Sequence, residues 1–149
     1  MLKLFRTSAA GIALAAACFA AVGATGAAAA AEVFRPLPPD SGNLDQYRWN
    51  KRVVMIFAPS PQDPKYRDVT EALRARAAGL ENRDLVVLTD TDPKAQGRLR
   101  AAFDVRGFRM LLVGKDGGVK LDEGAVISPD MLFQTIDAMP MRRDEMRKG

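Results

Sequence analysis

The sequence has no histidine and a single cysteine, Cys18, in 149 residues. The first absence removes imidazole acid–base catalysis and histidine metal ligation together. The second removes an intrachain disulfide and any Cys-x-x-Cys pair. Aromatic residues are few, with one Trp, two Tyr and seven Phe. Neither sign of charge dominates, since 22 Lys and Arg stand against 18 Asp and Glu. The pI near 9.5 therefore reflects a small surplus on a chain whose signs alternate. That is no phosphate-tracking surface, so nucleic acid is not an expected partner. A long, strongly apolar run is also missing, because the first 31 residues draw their bulk from Ala and Gly rather than Leu or Ile.

What those 31 residues do show is a short basic start with Lys3 and Arg6, an apolar stretch over about 9–22, and small residues up to Ala31. This is the layout of a secretory signal, with cleavage expected before Glu32. The single Arg6 lacks the pair of a twin-arginine signal, so the expected destination is the periplasm or the outside through general export. Acylation of Cys18 is the alternative to cleavage at Glu32. Cleavage leaves 118 residues with 20 basic and 18 acidic side chains, no cysteine and no membrane-inserting segment.

Residues 32–43, EVFRPLPPDSGN, are rich in Pro, Gly and Ser and read as an extended linker. The ordered domain is expected over 44–141, with 142–149 as a charged, solvated C-terminal tail. The unbroken run Val-Val-Met-Ile-Phe within 51–58, and Leu-Val-Val-Leu within 84–90, predict strands buried on both faces. Between them Tyr66, Val69, Leu73, Ala77 and Leu80 form one stripe of a helix of about four turns. That sequence of elements predicts a right-handed parallel crossover. A second helical stripe over 95–103 carries Leu99, Ala102 and Phe103, and 108–113 is again strand-like. Gly114 to Gly118 then supplies a tight hairpin turn, rather than a phosphate loop, and 119–121 returns antiparallel. The last helix runs from about Pro129 to Met139 and ends at Pro140. Asp63-Pro64, Asp92-Pro93 and Ser128-Pro129 each place a capping oxygen before a proline at N1, so each predicted helix opens on the same device.

The resulting order, β-α-β-α-β-β-α, is that of the thioredoxin core, and two segments resemble that family. Phe57-Ala58-Pro59-Ser60-Pro61-Gln62-Asp63-Pro64-Lys65 resembles the thioredoxin stretch in which Ala-Pro and a Trp precede Cys-Gly-Pro-Cys-Lys. Pro61 and Pro64 then occupy the two cysteine positions. The segment from Phe103 to Val113 resembles the later Tyr-Gly-Ile-Arg-Gly-Ile-Pro stretch, with Arg109 in place of the cis-proline. Three further strings are similar to a bacterial thioredoxin-like domain of unknown function related to the DUDES domains of sushi-repeat-containing proteins and equarin. They are Tyr47-Arg48-Trp49-Asn50-Lys51-Arg52, Val113-Gly114-Lys115-Asp116-Gly117-Gly118-Val119-Lys120 and Ile136-Asp137-Ala138-Met139-Pro140-Met141-Arg142-Arg143. The resemblance implies an exported α/β domain, a thioredoxin-like three-layer sandwich around a mixed, central four-stranded sheet.

Thiol exchange needs a thiolate, and prolines at 61 and 64 supply none, so redox catalysis is expected to be absent. On that alignment the candidate site is the mouth formed by Pro61, Asp63, Lys65 and Arg109, where helix amides and two cations favour a small anion or a partner's carboxylate. The competing expectation is an Arg109–Asp63 structural bridge. Asp90 and Asp92 are the one carboxylate pair available to a thiol-independent enzyme, although Asp92 already has a role as a helix cap. Asp116, Asp122 and Glu123 suit turn and surface positions. Tyr47 and Trp49 flank basic residues, with packing onto the sheet edge expected of both rings. Met131 and Met139 suit core filling rather than copper ligation. The expectation is a monomeric, non-redox binding or structural module of the cell envelope, without metal or cofactor, which takes a protein or a small anionic ligand. A docking accessory to envelope thiol enzymes is a further alternative.

Overall fold

The computed structural model describes residues 32–149. The expected signal segment and Cys18 lie outside the described residues. Five strands form one mixed sheet: β1 (Phe34–Pro36), β2 (Arg52–Phe57), β3 (Leu85–Asp90), β4 (Arg109–Val113) and β5 (Val119–Glu123). Their spatial order is β1-β3-β2-β4-β5, with β1 and β2 parallel to β3, and β4 antiparallel to both β2 and β5. The helices are α1 (Pro64–Arg74), α2 (Ala77–Glu81), α3 (Arg98–Ala102), α4 (Pro129–Asp137) and α5 (Pro140–Lys148).

Alternation along the strands divides the core into two faces. Val54, Ile56, Leu85, Val87, Met110 and Leu112 point to one side, where Val69 and Leu73 of α1, Leu80 of α2, and Leu132, Phe133 and Ile136 of α4 close over them. Val53, Met55, Phe57, Val86, Leu88, Leu111 and Val113 point to the other, under Leu37, Leu99 and the partly buried Leu44, Tyr47, Phe103 and Val105. Each buried side chain of this kind contributes roughly 1.5–3 kcal/mol. The first face has three helices as cover. The second has only the short α3 and the irregular segments on either side of it.

Local chemistry accounts for most element starts. Asp63 accepts from the Tyr66 amide, Asp92 from the Lys94 amide and Ser128 from the Met131 amide, each before a proline. At Asp92 the device opens a 3-10 turn, Pro93–Ala95, and α3 begins only after Gly97. The hairpin turn is present at 114–118. Gly117, with φ 84°, takes the left-handed conformation that the turn requires.

Four sequence expectations are corrected. The sheet has five strands rather than four, because the expected linker contributes β1. Its Pro36 is tolerated on an edge strand, while Val33 and Leu37 on either side are buried. The single helix of about four turns is two helices, α1 and α2. The break at Arg76 (φ −116°, ψ 24°) turns Leu80 into the same core as Leu73. Residues 142–148 are not a tail but part of α5; Arg142 is buried and Glu145 half-buried, while the remaining side chains are solvated as expected. Pro140 both follows α4 and opens α5, since a proline at N1 loses no helical hydrogen bond. Met131 is exposed rather than core-filling, because α4 turns Leu132, Phe133 and Ile136 inward instead. No helix among the described residues is long and apolar enough to cross a membrane.

Candidate functional site

The two ends of the sheet carry different chemistry. At the end where β2 and β3 finish, the candidate residues Pro61, Asp63, Lys65 and Arg109 do not converge. Pro61 lies on an open depression beside Tyr66 and Arg67. Asp63 is committed to capping α1. Lys65 reaches the Gly124 carbonyl at 3.4 Å and sits 5.7 Å over the Phe108 ring. Arg109 turns away from α1 and grips Asp122 through two hydrogen bonds of 2.5 and 2.7 Å. The Asp63 bridge is therefore replaced by an Asp122 bridge. β5 places Asp122 opposite Leu111, on the face of the sheet that Arg109 also occupies, one diagonal step away. The Arg109 hydrogen bonds hold the Asp122 carboxyl below the ordinary carboxylate range, and the carboxylate raises the guanidinium in turn.

The Asp90–Asp92 pair is likewise occupied. Arg100 donates from Nε to Asp90 Oδ2 at 3.0 Å, and from its terminal nitrogen to Asp90 Oδ1, the Asp90 carbonyl and the Ala58 carbonyl at 2.9–3.0 Å. The same guanidinium lies over the Phe57 ring at 5.5 Å. Asp90 also accepts from the Asp92 amide, and Asp92 from the Lys94 amide. Asp90 is thereby held by Arg100 at the ends of β2 and β3, while Asp92 stays exposed as the cap of the 3-10 turn. Among the described residues no three acidic or thiol side chains are grouped to hold a metal ion.

The opposite end, where β2 begins and β4 finishes, contains a partly buried ionic cluster, its cations Arg52, Lys115 and Arg142 buried and its carboxylates half-exposed, that sequence reasoning missed. Arg52, 1% exposed, donates to the Arg83 carbonyl at 2.9 Å and to both Glu145 oxygens at 3.2 Å. Lys115 places its ammonium 2.7 Å from Asp84 and 2.7 Å from Glu145. Arg142 binds the Asn82 carbonyl and side chain and touches Asp137. Arg83 holds Asp137 with two bonds of 3.0 and 2.6 Å. Burial pushes the Glu145 and Asp137 carboxyls upward. The hydrogen bonds and charges of Lys115 and Arg52 on Glu145, and of Arg83 and Arg142 on Asp137, outweigh it, and both end below their ordinary values. Lys51 stands 3.9 Å from Asp84 at the rim. Five cations, Lys51, Arg52, Arg83, Lys115 and Arg142, thus share three carboxylates, Asp84, Asp137 and Glu145.

A signal for this cluster was present. Arg52, Lys115 and Arg142 each belong to one of the three strings on which the DUDES resemblance rests, and the fold brings those strings to one pole. On its surface the 43–51 segment is pinned: the Trp49 amide donates to the Lys115 carbonyl at 2.6 Å, and the Asn50 and Lys51 amides to the Tyr47 carbonyl. Trp49 is held at φ 67°, rare for a bulky residue, and is 59% exposed. Its ring carries the Arg48 guanidinium at 5.2 Å. The expected packing of both rings holds for Tyr47 alone. Clefts of about 330 and 440 Å³ flank the hairpin turn, and Gly114 and Asp116 line both.

Comparison with known proteins places this arrangement. Coiled-coil domain-containing protein 80 of Danio rerio is 28% identical over 133 residues, covering 69% of this chain and 15% of that protein. Sushi repeat-containing protein SRPX of Rattus norvegicus is 30% identical over 120 residues, covering 69% of this chain and 26% of that protein. The corresponding protein of Homo sapiens is 29% identical over 120 residues with the same coverage. The chain thus spans about a quarter or less of the length of the relatives it matches. Residues 43–145, which take in the ionic cluster and the Trp49 surface, match the family described as Domain of unknown function (DUF4174), and the chain belongs to that family.

Proposed function

We propose that this protein is an exported, non-redox binding module of thioredoxin-like architecture that engages its partner through the Trp49 pole. The observation that carries this reading is Trp49, an aromatic ring fixed in water by a strained backbone beside an Arg. Strain maintained at an exposed aromatic marks a position kept for contact rather than for stability, and Trp and Arg are the side chains on which interfaces most depend. The sheet order and strand directions support the thioredoxin-like reading. Residues 32–149 contain no cysteine, prolines stand at 61 and 64, and Arg109 and Asp90 are paired internally, which supports a module without thiol or carboxylate catalysis. The relatives carry the matched region as a fraction of a longer protein, as a module does.

Export is part of the proposal. N-terminal sequencing of the secreted product is expected to begin at Glu32. Finding an intact, acylated Cys18 instead would replace a soluble product with an anchored one. The pole itself is tested by photo-cross-linking in the native compartment, comparing Asn50→p-benzoylphenylalanine with Gln62→p-benzoylphenylalanine. A discrete adduct is expected at position 50 and none at position 62. Capture at 62 alone would return the contact to the mouth and overturn the reading.

A further inference from the structure

We infer that the cleft between the 43–51 segment and the β4–β5 hairpin receives an acidic peptide segment of a protein partner, which inserts one apolar side chain. This names the chemistry of the partner and rests on the Trp49 pole being the contact face. The cleft exists because the second face of the sheet is covered by short pieces, so that α3 and the 43–51 segment leave a gap over the ends of β2 and β4. Its floor is apolar, made of Leu44, Tyr47, Leu99, Phe103 and Val113. A volume of about 330 Å³ lies at the small end of ligand sites and suits one inserted side chain rather than a cofactor.

Charge selects the rest of the ligand. Arg48 and Lys51 stand on the cleft's rim. Arg48 has no carboxylate partner among the described residues; its guanidinium lies on the Trp49 ring and its stem against Gly117. Lys51 shares Asp84 with Lys115, which holds that carboxylate at 2.7 Å against 3.9 Å for Lys51. Behind the rim, four further cations, Arg52, Arg83, Lys115 and Arg142, meet three carboxylates. The cleft walls carry Asp45 and Asp116 against Arg48 and Lys51, and Lys120, 2.9 Å from Asp116, adds a third cation at the hairpin. This small surplus of cations, with Arg48 free of any carboxylate among the described residues, around an apolar socket is complementary to a segment that brings carboxylates on either side of a Leu or Phe. The pinned amides of Trp49, Asn50 and Lys51 hold the socket in shape before the ligand arrives, so little ordering cost remains on this side.

Trp49 is the single tryptophan of the chain, and its emission reports directly on this pole. The purified protein is titrated with four short synthetic peptides: acidic with a central Phe, acidic with Ala in its place, neutral with Phe, and basic with Phe. Phosphatidylglycerol vesicles form a fifth arm. The acidic Phe peptide is expected to saturate, at least about tenfold tighter than any other arm, and to weaken as salt is raised. Arg48→Ala is expected to weaken it about tenfold while leaving the unfolding midpoint unchanged. Phe103→Ala, followed by calorimetry, is expected to lose the preference for Phe over Ala. No saturable response, equal affinity for the acidic Ala peptide, or binding to vesicles alone would each overturn the inference. If position 50 still cross-links a partner in the native compartment, only the ligand chemistry is lost. If that also fails, the contact face falls with it.

Discussion

The two ends of the sheet are held by different kinds of contact. At the mouth each carboxylate is matched from nearby in sequence, since Asp63 caps three residues on, Arg100 meets Asp90 ten residues back and Arg109 meets Asp122 thirteen residues on. Arg100 and Lys65 also reach the Ala58 and Gly124 carbonyls, 42 and 59 residues away. At the Trp49 pole they come from across the chain. Arg52 and Glu145 are 93 residues apart, Arg142 and Asn82 are 60, Arg83 and Asp137 are 54, and Lys115 lies 31 and 30 from its two carboxylates. The carboxylates of the mouth are therefore neutralised within one or two adjacent elements. The pole forms only when β2, the end of α2, the hairpin and α5 have all docked. Its ion pairs also do what apolar packing does elsewhere, since Arg142 is the only buried residue of α5.

That contrast sets the order of expected effects. Arg52→Ala removes a fully buried cation, takes two hydrogen bonds from Glu145, which keeps Lys115, and leaves the Arg83 carbonyl without this donor. A loss of about 1–3 kcal/mol is expected by urea unfolding, the cost of a polar group left without its partner. A loss no larger than that of an exposed pair would show that the cluster is not a structural unit.

Acid is the next largest lever. Glu145 and Asp137 are depressed in the folded protein, so between their folded and ordinary values the unfolded chain binds more protons and stability rises with pH. The contribution is complete above the ordinary values of 4.5 and 3.8 and is lost as pH falls through the folded ones. Stability measured against pH is expected to drop on this acid limb, and Glu145→Gln is expected to flatten it. An unchanged limb would separate α5 docking from these charges.

A smaller effect is expected from Ser128→Ala, which removes the α4 cap and costs about 1 kcal/mol. It calibrates what a local device contributes. Arg109→Ala is expected to leave the unfolding midpoint unchanged, because its pair with Asp122 is screened by solvent. A large loss there would erase the distinction between the two ends.

How much was legible in the sequence follows the same division. The buried strands were visible as unbroken apolar runs, the hairpin as a glycine-rich turn, and three element starts as a capping oxygen before proline. Each of these is decided within a few residues. Asp92 as a cap was also legible, whereas the partner of Arg109 was not. Asp63 stands before α1 and Asp122 on β5, and only the face of β4 on which Arg109 emerges decides between them. β1 was read as a linker because its composition is that of a loop; only pairing to β3 makes it a strand. The 142–149 segment was read as a solvated tail because a run of alternating charge looks the same whether it faces water or a buried set of counter-charges.

Chain composition by itself determined the absence of histidine chemistry, the absence of thiols after residue 31, and the alternation that separates the two faces of the sheet. These depend on which atoms are present and on the period of the backbone. Tertiary structure alone decided that Arg52, Lys115 and Arg142 share carboxylates, that Arg109 is neutralised, and that Trp49 stands in water beside an apolar cleft. An ion pair takes its partner, and a ring its exposure, from whatever the rest of the chain brings within a few ångströms, and no local pattern of residues records that distance.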